Sequence, residues 1–161
     1  MNDRAIQARV AAPQDEVFLE ELFFEIRSPE FILANLPETQ LRDLLAHQYT
    51  AMRSHYARVY PEAVYWILER EGQSVGYEVI REGDEIHLID IAVRSRFQNQ
   101  GIGTSRMRRL LDDAASKRKS VILSVEIFNP ARRLYDRLGF QEYEDFGIYK
   151  RMRWSGVSAA I

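Results

Sequence analysis

Val93-Arg94-Ser95-Arg96-Phe97-Gln98-Asn99-Gln100-Gly101-Ile102-Gly103-Thr104 joins the end of an apolar run to the start of an amphipathic one through a loop with two glycines. The run before it, Ile89-Asp90-Ile91-Ala92-Val93, reads as a strand. The run after it carries Met107, Leu110, Leu111 and Ala114 at helical spacing and predicts a helix over residues 101–119. The first backbone N–H groups of such a helix lack intrahelical partners, and the aligned peptide dipoles add partial positive charge there. Glycine lets a ligand approach the backbone closely. The junction therefore suits phosphate, and residues 98–104 are expected to hold a phosphorylated cofactor.

Downstream, residues 121–128 are rich in β-branched side chains and predict a strand. Asn129-Pro130 opens a short helix with Leu134, Tyr135 and Leu138, and Gly139 stands where a left-handed C-cap is favoured. Residues 140–143 and 147–154 predict two last strands. Upstream, residues 7–11 suit a short strand, and Phe18, Leu19, Leu22, Phe23 and Ile26 recur at helical spacing over residues 13–27. A second helix starts near Pro37 and stops before Pro61. Three strands follow at residues 63–70, 74–81 and 85–93, separated by Glu71-Gly72 and Glu82-Gly83-Asp84, as an antiparallel meander with short turns. The order β-α-α-β-β-β-α-β-α-β-β predicts an α/β fold: a mixed central sheet of about seven strands flanked by about four helices.

Gln98-x-x-Gly101-x-Gly103, following Ile89-Asp90-Ile91-Ala92-Val93, resembles the acyl-CoA pyrophosphate motif of GNAT-superfamily (Gcn5-related) N-acetyltransferases. About thirty residues on, Asn129-Pro130-Ala131-Arg132-Arg133-Leu134-Tyr135-Asp136-Arg137-Leu138-Gly139-Phe140 is similar to the superfamily's second cofactor motif. The resemblance is strong from Ile86 to Trp154; the first half matches in the order of its elements. It implies a single acetyltransferase domain over residues 5–156, with acetyl-CoA as co-substrate and an amine of a small molecule or peptide as acceptor. A non-catalytic acyl-CoA sensor or interaction protein of the same fold is the alternative.

The residues fit that implication. The N–H groups of Gln100, Gly101, Ile102, Gly103 and Thr104, with Gln98 and Asn99 before them, suit a pyrophosphate. The resemblance places the pantetheine arm along the backbone of Ile91, Ala92 and Val93, and Asn129 against that arm. It also places Tyr135 as the general acid that protonates the departing thiolate. A core aromatic on a short amphipathic helix is the plainer reading of Tyr135.

The base is open among Glu78, Asp90, Glu126 and His87. Glu126 shares a strand face with Ser124 and lies just ahead of Asn129; Asp90 interrupts an apolar run, where a carboxylate needs a partner or a shifted pKa. His87 lies near a position where some family members carry a catalytic glutamate, and imidazole suits proton transfer at neutral pH. Single acidic residues on strand faces, and a lone histidine, also occur without catalytic roles. The acceptor pocket is expected from the first helices, their connecting loop and the last two strands, with Asn35, His47, Tyr49, His55, Tyr56 and Tyr60 as candidate lining.

The rest of the chain narrows the alternatives. Its 161 residues, 46% hydrophobic, suit one domain with an ordinary core. A net charge of −2 gives no general field for nucleic acid or anionic membrane; of Arg106, Arg108, Arg109, Lys117, Arg118 and Lys119, one or two are candidates for the CoA phosphates, most read as a solvated helix face, and Lys117-Arg118-Lys119 reads as a favourable cationic helix C-terminus. With no cysteine, thiolate metal sites and a cysteine nucleophile are excluded; the three histidines show no metal-ligand spacing. No lysine follows Gly103 as a P-loop requires, and position 106 is Arg where a dinucleotide fingerprint needs glycine. Direct transfer without a covalent enzyme intermediate is the expected mechanism. No stretch reads as a secretory or membrane-spanning segment, so a cytoplasmic protein is expected. The superfamily implies homodimers, to which the C-terminal strands and Trp154 are expected to contribute.

Overall fold

The computed structural model describes residues 5–156. Seven strands pair in the order β1-β2-β3-β4-β5-β7-β6, where β1 is Gln7–Val10, β2 Val64–Arg70, β3 Gln73–Glu82, β4 Ile86–Val93, β5 Val121–Glu126, β6 Gln141–Asp145 and β7 Tyr149–Trp154. The sheet is mixed: β1 and β2 run antiparallel, β4 and β5 parallel, and β5–β7 and β6–β7 antiparallel. Four α-helices complete the described residues: α1 Glu16–Arg27, α2 Glu38–Val59, α3 Ile102–Ser116 and α4 Ala131–Leu138. None of them is long and apolar enough to cross a membrane. The backbone divides into two compact units, one taking the described chain up to Val79 with Asp90–Gln100, the other Ile80–Ile89 with the described chain from Gly101 on.

In the first unit, α1 buries Leu19, Leu22 and Phe23, one stripe at helical spacing, and α2 buries Leu45 and Tyr49. The Phe23 and Tyr49 rings meet at 5.6 Å, and the Tyr49 hydroxyl donates to Glu16 Oε2 at 2.7 Å. Ahead of α1 the expected helical turn is a 3-10 turn, Pro13–Asp15. Its Asp15 carboxylate accepts from the Ala12 N–H at 2.7 Å and from both Arg9 terminal nitrogens at 2.8 Å. Between the helices, Ser28–Ala34 coils in 3-10 turns that the hydrophobic spacing does not signal. Glu71 and Gly72 both have positive φ, 52° and 77°, which is how a two-residue turn matches the twist of β2 and β3. Gly76 of β3 is a requirement of packing: a Cβ there would lie 2.3 Å from the Ala92 carbonyl oxygen of β4.

In the second unit, Ile86 and Leu88 of β4 pack with Val121, Leu123 and Val125 of β5 and with Met152 of β7 as a buried apolar layer. Ile102, Met107, Leu111 and Ala114 form the buried face of α3, while Leu110, expected among them, is half-buried. The helix ends three residues earlier than the sequence predicts. Arg118 turns left-handed (φ 56°), and Lys119 N–H bonds back to the Ala114 carbonyl at 2.9 Å. Lys117 and Lys119 are thereby turned to Glu82 at 3.0 and 3.2 Å, cations at the helix C-terminus as the sequence suggests and ion-paired there as well. β5 ends at Glu126, two residues short of expectation, as the Asn129 N–H turns back to the Glu126 carbonyl at 3.0 Å. Gly139 takes the expected left-handed conformation (φ 98°) after α4.

Candidate functional site

The second unit supplies the start of α3. Gly101 is its N-cap, with φ 83°, and the Ser105 N–H closes the first turn on the Gly101 carbonyl at 2.9 Å. Ile102, Gly103 and Thr104 occupy the first turn, where backbone N–H groups have no earlier helical carbonyl to bond. The two glycines differ in kind. Gly101 needs its positive φ, whereas Gly103 is helical, and a Cβ on it would meet nothing within 4 Å. Glycine in place of alanine costs a helix about 1 kcal/mol. Nothing in the chain's own packing explains that choice at position 103.

The first unit supplies the approach to that helix. Gln98 donates from Nε2 to the Val93 carbonyl at 2.9 Å, tying the loop to the end of β4. Gln100 donates to the Arg96 carbonyl and accepts from Arg70 Nη1, both at 3.0 Å, and Asn99 between them is left-handed (φ 61°). Ile91, Ala92 and Val93 form the last residues of β4 and are half-buried.

The expected base residues fall in different surroundings. Asp90, on β4, accepts a 2.7 Å hydrogen bond from the Tyr77 hydroxyl of β3. Burial pushes its pKa up from the ordinary 3.8; the Tyr77 bond, Arg27 and the Ile91 N–H pull against that without cancelling it. Tyr77 is itself buried, which with the Asp90 charge holds its phenol well above the usual range. Tyr56 of α2 and Tyr65 of β2 also feel the Asp90 charge and are raised by burial first. Sequence reasoning missed Tyr77, because nothing local pairs it with Asp90, 13 positions further along the chain.

In the second unit, burial lowers the pKa of His87, and Arg151 and Arg81 lower it further, so the imidazole is neutral at pH 7. Glu126 is exposed at the end of β5, opposite Tyr149 of β7. Glu78, on β3 of the first unit, is almost wholly buried. Tyr135 is buried on α4, its ring 5.6 Å from that of Phe140. The Asn129 side-chain oxygen accepts from the Ala131 N–H at 2.9 Å, an Asx turn that leads into α4 and leaves the amide nitrogen on the other side of the group.

The candidate acceptor residues divide. Tyr49 belongs to the core between α1 and α2, and His47 is exposed. Asn35 is a left-handed residue (φ 47°) after the 3-10 turns. His55 is an exposed neighbour of Tyr56, with rings 6.1 Å apart. Tyr56 and Tyr60 line a groove with Tyr65. Among the described residues no group of three or more His, Asp and Glu is placed to hold a metal ion.

Comparison with known proteins agrees with the fold. A family model described as the Acetyltransferase (GNAT) family matches residues 21–140. No curated protein shows significant similarity in sequence. Among solved structures, the chain resembles the PaiA N-acetyltransferase of Thermoplasma acidophilum in complex with coenzyme A, at 13% identity and TM-score 0.70, over 94% of this chain and 99% of that one. It also resembles the spermidine N-acetyltransferase of Vibrio cholerae in complex with CoA and spermine, at 20% identity and TM-score 0.65, over 96% and 97% of the two chains. The ribosomal-protein-S18-alanine N-acetyltransferase of Escherichia coli superposes with TM-score 0.59 at 19% identity over 97% of each chain. At such identities the likeness is one of fold, and the family match covers most of the chain. The chain belongs to the GNAT acetyltransferase family.

Proposed function

We propose that this protein is an acetyl-CoA-dependent N-acetyltransferase, acting through residues 5–156 as one domain on a primary amine of a small molecule or peptide. The observation that carries the reading is Gly103, a helical glycine whose missing Cβ faces open space. Close approach of a ligand to the backbone accounts for it, and the pyrophosphate of an acyl-CoA is the group that family membership supplies. The complexes of similar folds with coenzyme A support the same donor, and the spermidine and S18-alanine enzymes support an amine acceptor.

In this reading the backbone N–H groups of Gly101, Ile102, Gly103 and Thr104, with Gln98, Asn99 and Gln100 before them, hold the pyrophosphate. Ile91, Ala92 and Val93 offer backbone groups to the amides of the pantetheine arm, and the side-chain N–H groups of Asn129 contribute to the same arm. β4 pairs with β5 over Ile86, His87 and Leu88 and then runs five residues further, which supports a strand whose end is available to the donor. Asp90 takes a proton from the acceptor ammonium. Its raised pKa brings it closer to neutrality than an exposed carboxylate, and the Tyr77 bond fixes its orientation. Tyr135 protonates the departing thiolate.

Steady-state acetylation of a panel of amines tests the reading. The expected result is turnover with at least one amine, and a fall in kcat of roughly 10²-fold or more in Tyr135→Phe with the KM for acetyl-CoA little changed. Saturable acetyl-CoA binding with no turnover on any amine would instead make the protein a non-catalytic acyl-CoA binder. An unchanged kcat in Tyr135→Phe removes the general-acid role.

A further inference from the structure

The C-terminal half of α2 and the first residues of β2 enclose a groove of about 450 Å³ walled by Tyr56, Tyr60 and Tyr65, with Arg53, Ala57 and Ala63. That volume is ordinary for a small-molecule site, for which roughly 300–1,000 Å³ is typical. Two of its walls also lie within electrostatic reach of the proposed base. Tyr56 and Tyr65 both sense the Asp90 charge, and the Tyr65 ring lies 6.4 Å from that of Tyr77, which holds Asp90.

The charges around the groove point to one class of occupant. Tyr56 and Tyr60 present negative π-faces, which attract cations; one face of Tyr65 already holds Arg53. The positive groups nearby are already committed. Arg53 is bonded to Glu16 and its guanidinium lies 4.1 Å over the Tyr65 ring. Arg27 of α1, whose charge is felt by Tyr56 and Asp90, pairs with Glu30 at 3.3 Å and lies 5.6 Å from the Phe23 ring centre. A ligand carboxylate would be repelled by the Asp90 charge and would have to compete with Glu16 and Glu30 for these two guanidiniums.

We propose that this groove is the acceptor site, and that it takes an arylalkyl amine without a carboxylate, its ring against Tyr56, Tyr60 and Tyr65 and its ammonium toward Asp90. The proposal rests on the transferase reading above. In the reaction the ammonium gives one proton to Asp90, and the freed amine nitrogen bonds to the thioester carbonyl carbon. The carbon–sulfur bond breaks, the thiolate takes the Tyr135 proton, and the nitrogen's second proton returns through solvent to the Tyr135 oxygen. The products are an N-acetyl amide and the free thiol; one proton passes to solvent as both side chains return to their starting states.

Phenethylamine and phenylalanine differ by the carboxylate alone and make the test. The full chain, labelled at tyrosine rings, is titrated with each in the absence of acetyl-CoA. Phenethylamine is expected to shift the ring signals of Tyr56, Tyr60 and Tyr65 and to bind at least about tenfold more tightly than phenylalanine, which corresponds to about 1.4 kcal/mol. Ala57→Trp, at an exposed helical position, is expected to abolish those shifts. In turnover it raises the KM for phenethylamine at least about tenfold and leaves the KM for acetyl-CoA unchanged. Equal binding of phenylalanine overturns the proposal. So do shifts confined to Tyr143 and Tyr149 of β6 and β7, or an unchanged amine KM in Ala57→Trp. Because the titration needs no donor, these failures leave the transferase reading standing where acetyl-CoA still binds. Amine binding in the groove without any acetyl-CoA binding overturns the transferase reading instead.

Discussion

Two opposing effects meet at Asp90. Burial disfavours its charged form, while the Tyr77 hydroxyl, Arg27 and the Ile91 N–H favour it, and burial wins. A carboxylate that must be ionised to accept a proton is active above its pKa, so activity rises with pH through a value higher than the ordinary 3.8. Tyr77→Phe removes a hydrogen bond to a charged group, worth roughly 1.5–3 kcal/mol, and so moves this acid limb upward by about one to two units. Asp90→Asn abolishes the limb and lowers kcat by roughly 10²-fold or more. The dependence of kcat/KM on pH for the three proteins checks both. A limb that stays in place in Tyr77→Phe, or survives in Asp90→Asn, assigns the proton to another group, with the neutral His87 the next in line.

Among the elements, β3 and the strand-to-helix entry at α1 each depend on one residue. In β3, Gly76→Ala puts a Cβ 2.3 Å from the Ala92 carbonyl oxygen, a backbone atom that moves only if β4 moves. The expected cost is about 1–3 kcal/mol or more, read by urea denaturation. Gly83→Ala serves as the control because its Cβ meets nothing closer than 3.9 Å, and equal midpoints for the two variants would contradict the packing argument. Before α1, Arg9 and the Ala12 N–H hold the Asp15 pKa down from 3.8 to about 2. A depressed carboxylate contributes stability that is fully present above 3.8 and is lost as the pH falls through about 2. Asp15→Asn should therefore cost roughly 1–3 kcal/mol at pH 7, and the gap to the wild type should close in acid. A gap independent of pH would show that the pair does not set it.

The type and order of the elements were legible because their causes are local. Leu19, Leu22 and Phe23 recur at helical spacing, Glu71-Gly72 makes a two-residue turn, and Gly139 caps α4. The end of α3 was not legible, because Arg118 takes the left-handed conformation that sequence rules assign to glycine or asparagine. Nor was the Tyr77–Asp90 bond, which spans 13 positions and depends on the register of β3 and β4. The start of α3 beside two glycines was readable because strand, loop and helix spacing are local. The tyrosines around Asp90 became a group only once α2, β2, β3 and β4 were folded.

For the molecule as a whole, family membership, a mixed seven-stranded sheet and the glycine-marked start of α3 support the proposed acyl-CoA donor. Every later step, from Asp90 to the tyrosine groove, presumes that donor. The most direct test is calorimetric titration of the purified protein with acetyl-CoA, alongside Gly103→Val. The account predicts saturable one-to-one binding to the wild type. Binding should weaken at least about tenfold in Gly103→Val, with little change in thermal midpoint, since the new side chain meets no protein atom within 4 Å at its Cβ. No binding by a folded sample free of copurified CoA, or equal binding by the two proteins, would contradict it.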